Sequence, residues 1–108
     1  MVDKCFEKIK HLLKATERLD EAEALYGKKD QYGALSKVGA AFTSAALAYS
    51  KGLLDKEEWR EIAGNLHLAR QSILLGRELA TVMKNLDRAK DILSKKMFEK
   101  YSECERGI

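Results

Sequence analysis

The stretch Gly33-Ala-Leu-Ser-Lys-Val-Gly-Ala-Ala-Phe-Thr-Ser-Ala-Ala-Leu-Ala-Tyr49 decides how the chain folds. Leu35, Val38, Phe42, Ala45 and Tyr49 recur at alternating steps of three and four, the spacing of one helix face. The other side carries Ser36, Ala40, Thr43, Leu47 and Ser50, and no charge falls between Lys37 and Lys51. A helix that is apolar or small all round is buried on more than one side. The reading is therefore a central helix over 31–51, started by Asp30 as N-cap, with that stripe inward. Gly33 and Gly39 each cost about 1 kcal/mol relative to Ala in a helix, which points to close packing at both.

Upstream, Cys5, Leu12, Leu19 and Tyr26 fall seven apart. Ala15 and Ala22 fill the alternating positions, and Ile9, Leu13 and Leu25 widen the stripe. This predicts a helix over 3–26, with Gly27 as the left-handed residue after it. Gly27-Lys-Lys-Asp30 forms a short polar loop, so the first two helices make an antiparallel hairpin.

Downstream, Leu54-Asp-Lys-Glu-Glu-Trp59 is the sharpest local signal. Asp55 and Glu58 form a capping box, and Leu54 with Trp59 a hydrophobic staple. From Asp55 to Cys104 there is no proline. Trp59, Ile62, Leu66, Ala69 and Ile73 make one stripe; Leu75, Leu79, Val82, Leu86, Ala89, Leu93 and Met97 make a second, out of phase. An unbroken helix would be about 75 Å long. Either the segment bends back, at Gly64-Asn65, Gly76 or Asn85, or a second copy of the chain covers its remainder. The periodicity leaves both open. The fold class is all-α: a helical hairpin packed on a long C-terminal helical segment, a three- or four-helix bundle in one domain spanning 1–108.

Composition agrees. The chain has 108 residues, 45% apolar and 34% charged, with no proline. A folded chain of this size exposes roughly 6,000 Å², about a third of its unfolded surface, enough for one core. Net charge is +3, short of the strong basic footprint of a dedicated nucleic-acid domain. The longest uncharged run, Val38–Tyr49, is below the roughly 20 residues that span a bilayer. The first residues lack the apolar core of a signal peptide. The expectation is a cytoplasmic protein with no membrane attachment. Two cysteines, Cys5 and Cys104, are too few for a secreted disulfide scaffold, so reduced thiols are expected. The alternative is a clip between the termini, which requires the first and last helices to run side by side.

No constellation for chemistry stands out. Histidines are limited to His11 and His67. There is no Glu-x-x-His pair, no His pair four apart and no Cys-x-x-Cys, so neither a di-metal nor a zinc site is expected. No glycine-rich phosphate loop is present, and no cofactor is expected. Cys5 and His11 lie about 240° apart on a helix, too far for a nucleophile and its base. These absences lean against an enzyme.

Two patterns point elsewhere. Lys84, Arg88, Lys90, Lys95, Lys96 and Lys100 give residues 84–100 a local charge of +3. A phosphate backbone could be met on Lys84, Arg88, Lys95, Lys96 and Lys100, although no aromatics interleave for base stacking. Like charges also recur at i,i+4: Lys10, Lys14 and Arg18; Glu17 and Glu21; Glu57 and Glu61; Asp87 and Asp91; Lys96 and Lys100. Such stripes are tolerated when solvated, or when they face opposite charge on another helix or subunit.

Arg60 and His67 enclose Glu-Ile-Ala-Gly-Asn-Leu. This spacing resembles the loose Arg-x4–6-His pattern of the HEPN helical ribonucleases, small bundles that dimerise to complete an RNA-cleaving site. The resemblance covers eight residues and implies catalytic roles for Arg60 and His67. It departs from the family in Glu61, where Asn or Asp often follows the arginine.

Three functional expectations follow. The first is a non-enzymatic interaction protein, an adaptor or regulator with a protein partner, that also forms a homodimer. The second is a nucleic-acid-binding regulator using the 84–100 face, and the third a HEPN-like ribonuclease.

Overall fold

The computed structural model describes residues 4–107 and contains four helices: α1 (Lys4–Gly27), α2 (Gln31–Ser50), α3 (Lys56–Leu74) and α4 (Leu79–Arg106). They form a ring in which α1 packs on α2 and α4, and α3 packs on α2 and α4. The core is one cluster at the centre of the ring. Leu12, Ala15, Leu19 and Ala22 come from α1, Ile62, Leu66, Ala69 and Ile73 from α3, and Val82, Leu86, Ala89 and Leu93 from α4. Accessible surface is 6786 Å². The excess over the compact expectation belongs to a rod of 47 × 30 × 19 Å.

Local chemistry sets the boundaries. Asp30 caps α2 by accepting from Gly33 N at 2.8 Å. A Cβ on Gly33 would run into that Asp30 carboxylate, so this glycine serves the cap. Gly39 has nothing within 4 Å of a Cβ position, and the close approach expected there is absent. The left-handed residue of the first loop is Lys29 (φ 66°), not Gly27. The chain turns two residues later than expected because the Lys28 and Asp30 amides still bond to Leu25 O. At α3 the capping box forms as read: Glu58 N donates to Asp55 Oδ1 at 2.8 Å and Asp55 N to Glu58 Oε1 at 2.9 Å.

The long segment is two helices. It breaks at Gly76 (φ 66°), where Gly76 N bonds Ile73 O and Arg77 N bonds Ser72 O. No second copy is needed to cover its length. The phase shift between the two apolar stripes marks this break, and it leaves Leu75 and Leu79 exposed.

Two expectations are corrected. First, α2 buries Ala34, Val38, Ala41, Ala45 and Ala48: Val38 and Ala45 of the expected stripe are buried, but its larger members Leu35, Phe42 and Tyr49 are not. Phe42 is 42% exposed, and Leu35 and Tyr49 are only half-buried. The helix is rotated so that its alanines face the core, and it stands at one corner of the ring with its outer side open. Second, Cys5 and Cys104 form a disulfide, with Cα atoms 5.6 Å apart. The condition for a clip is met because α1 and α4 are antiparallel neighbours. Further along the pair, Lys90 near the middle of α4 lies 2.9 Å from both Asp20 and Glu23 of α1.

Among the described residues, no helix is long and apolar enough to cross a membrane.

Candidate functional site

The outward rotation of α2 creates the most distinctive surface, the shallow valley between α2 and α3. Where this valley closes, Trp59 packs against Phe42 with ring centroids 5.2 Å apart, and against Tyr49 at 5.6 Å with planes 8° from parallel. At the far end Gln31 Nε2 donates to Ile73 O at 2.8 Å. Between these points the helices stand apart over two hollows. One of about 230 Å³ is lined by Val38, Gly39, Phe42, Leu66, His67 and Arg70. The other, of about 180 Å³, is lined by Gln31, Tyr32, Leu35, Ile73 and Leu74. Gly39, open on its Cβ side, is the notch that deepens the first.

The valley is largely apolar, with Gln31 of α2 and His67 and Arg70 of α3 the polar side chains in its lining. Tyr32 is 89% and Leu74 60% exposed along it. Its α2 wall carries no charge from Val38 to Ser50, so any charge at the rim comes from α3. Singly exposed apolar residues are ordinary, but a contiguous run of them rimmed by polar groups marks an interaction surface.

Arg60 and His67 lie on the outer side of α3, both exposed. Seven residues on a helix is close to two full turns, so they share one stripe. His67 borders the larger hollow. Among the described residues, neither side chain has a hydrogen-bond or ion-pair partner. The shared face is present, and no described group orients either side chain.

The basic residues of α4 do not form one face. Lys84, Arg88 and Lys95 are exposed on a single stripe, with Asp91 at the same helical phase between them. Lys90 and Lys96 flank the buried Val82–Leu86–Ala89–Leu93 stripe on opposite sides. Lys90 pairs with Asp20, Glu23 and Asp87, and Lys96 with Glu58 of α3 at 3.2 Å and with Glu99. Lys100 is 3.5 Å from Glu103. The like-charge stripes are thus partly answered inside the chain, as Lys37 of α2 with Glu21 of α1 at 2.8 Å also shows.

Among the described residues, no group of three or more His, Cys, Asp or Glu is placed to hold a metal ion. The sequence reading missed the valley because it turned Phe42 and Tyr49 inward. The signal that finds it is the competing stripe of Ala34, Val38, Ala41, Ala45 and Ala48, whose small side chains let α2 lie close on α1.

Compared with family models, curated proteins and solved structures, the chain matches none.

Proposed function

We propose that this protein is a non-enzymatic adaptor or regulator that self-associates through the α2–α3 valley, face to face with a second copy. The observation that carries the reading is the uncharged α2 wall beside exposed Tyr32, Phe42 and Leu74. A two-fold interface places each patch against itself, so the uncharged α2 wall adds no like-charge repulsion there, and Arg70 of α3 is the charged side chain lining the hollows. Its size also fits. A 20-residue helix is about 30 Å long, and two helices side by side are about 20 Å wide, or about 600 Å² in projection. With corrugation this approaches the roughly 800 Å² per partner of a standard interface.

Light scattering on the size-exclusion peak tests the reading. The expected mass is twice 12.2 kDa at tens of micromolar, falling on dilution. A mass of 12.2 kDa throughout contradicts it. As for compartment, the Cys5–Cys104 bridge suits an oxidising environment, and so argues against the reducing cytoplasm for the bridged form.

A second reading is a HEPN-like ribonuclease, favoured by the shared exposed stripe of Arg60 and His67 beside this valley. Pairing through the valley would bring two such stripes close together. RNA cleavage that falls in both Arg60→Ala and His67→Ala supports it; cleavage absent, or unchanged in both, removes it.

A further inference from the structure

The disulfide end of the bundle gathers positive charge around one sulfur of the bridge. Cys5 is 1% exposed, whereas Cys104 is partly exposed. Cys104 borders a hollow of about 390 Å³ together with Lys8, Lys51, Lys100 and Glu103. A second hollow of about 270 Å³, lined by residues including Lys8, Lys10, His11 and Lys51, shares Lys8 and Lys51 with the first. The two form one trough. Lys10 and Lys100 have carboxylate neighbours in Glu7 at 3.4 Å and Glu103 at 3.5 Å. Among the described residues Lys8 and Lys51 make no ion pair, and the lysines lining the trough, Lys8, Lys10, Lys51 and Lys100, outnumber its carboxylates, Glu7 and Glu103. His11 lines the same trough, and burial, then Lys10, Lys51 and Lys14, hold its imidazole below the ordinary histidine range. Gly52, left-handed at φ 78° with open space at its Cβ position, turns the chain at the trough wall without filling it.

A thiol–disulfide exchange needs a thiolate on the S–S axis, at an accessible sulfur. Burial of Cys5 closes one approach, and the trough opens the other. We propose that Cys104 is a mixed-disulfide site selective for small thiols that carry a carboxylate. The incoming thiolate attacks Cys104 Sγ while Lys8, Lys51 and Lys100 hold its carboxylate. The S–S bond breaks, and Cys5 leaves as a thiolate and takes a proton from water. The product is a mixed disulfide on Cys104. A second molecule of the same thiol then attacks the bound small-molecule sulfur. This frees Cys104 as a thiol and releases the small disulfide. Two small thiols are oxidised and one protein disulfide is reduced.

The test uses the full oxidised chain, its bridge verified by intact mass, and three probes: mercaptopropionate (anionic), mercaptoethanol (neutral) and cysteamine (cationic). Initial reduction rates are divided by each probe's thiolate concentration and then by the same normalised rate toward an uncharged reference disulfide, which removes differences in thiol acidity and in thiolate nucleophilicity. The expected order is anionic, neutral, cationic, with about tenfold or more between the extremes, the lower end of electrostatic steering. The ratio collapses toward one in molar salt, and in a Lys8→Gln/Lys51→Gln variant whose circular dichroism matches wild type. Acid-quenched peptide mapping finds the adduct on Cys104. Equal normalised rates, an adduct on Cys5, or purified protein without the bridge overturns the proposal.

Discussion

The indole of Trp59 and the phenol ring of Tyr49 lie stacked, centroids 5.6 Å apart and planes 8° from parallel. This pair, with Phe42 on the indole's other contact, closes the end of a valley that is otherwise open. Trp59→Ala removes both ring contacts and part of the core edge. The expected cost is about 2–4 kcal/mol, read as a lower urea midpoint by far-UV circular dichroism. A loss below about 1 kcal/mol, within the range of ordinary surface substitutions, would show that the stack does not hold α2 to α3.

Lys90, 19% exposed at its side chain, sits among Asp20, Glu23 and Asp87. Burial disfavours its charge, but pairing of the ammonium with Glu23 and Asp20, whose carboxylates accept from it, outweighs this and raises its pKa above the ordinary lysine range. Hydrogen bonding with Glu23 holds Asp87 below its ordinary range. Glu23 is raised, by burial first and then by Asp87. The lowered Asp87 contributes stability above the ordinary aspartate range and loses it as pH falls. The raised Lys90 contributes below the ordinary lysine range and loses it as pH rises through its folded value. The raised Glu23 works the other way, its contribution fading as pH rises. Lys90→Met therefore costs about 1–3 kcal/mol near neutrality. The difference from wild type narrows as pH falls from neutrality toward about pH 3, Glu23 taking up its proton first and Asp87, held lower, last. Urea midpoints of both proteins at the two pH values check this; a constant difference would contradict it.

The Cys5–Cys104 bridge joins residues 99 apart in sequence at the ends of α1 and α4. Reduction by dithiothreitol is expected to cost about 2–4 kcal/mol, chiefly by releasing the unfolded chain. Because the core cluster on α4 ends at Leu93, amide exchange should quicken in residues 97–106 and 4–8. The Ala41 and Ala45 amides should keep their relative protection. Uniform acceleration through α2 would show that the bridge holds the whole ring rather than its end.

Part of this architecture is legible in the residues, for physical reasons. Asp55 and Glu58 announce the start of α3 because a capping box is local and needs nothing from the rest of the fold. The stripes Ile62–Ile73 and Val82–Leu93 read correctly because each offers a single choice of buried face. On α2 two faces compete, and hydrophobicity alone favours Phe42 over Ala41. Packing decides otherwise, since alanines allow α2 to approach α1. The break at Gly76 is one of three plausible glycine or asparagine sites, and only the ring of four selects it. The pairing of Cys5 with Cys104 depends on helix order in space, which spacing along the chain does not carry. The basic face of α4 dissolves for the same reason. Lys90 and Lys96 find their acidic partners on α1 and α3, helices distant in sequence.

The central claim is that the α2–α3 valley is where two copies meet, and sedimentation equilibrium on two variants tests it most directly. Phe42→Glu charges the valley. Phe98→Glu charges an equally large exposed ring on α4, well away from it. Circular dichroism confirms that both variants remain helical. The account predicts that Phe42→Glu sediments at 12.2 kDa while Phe98→Glu keeps the doubled mass of the wild type. A Phe42→Glu protein that still pairs, or a Phe98→Glu protein that does not, would contradict it.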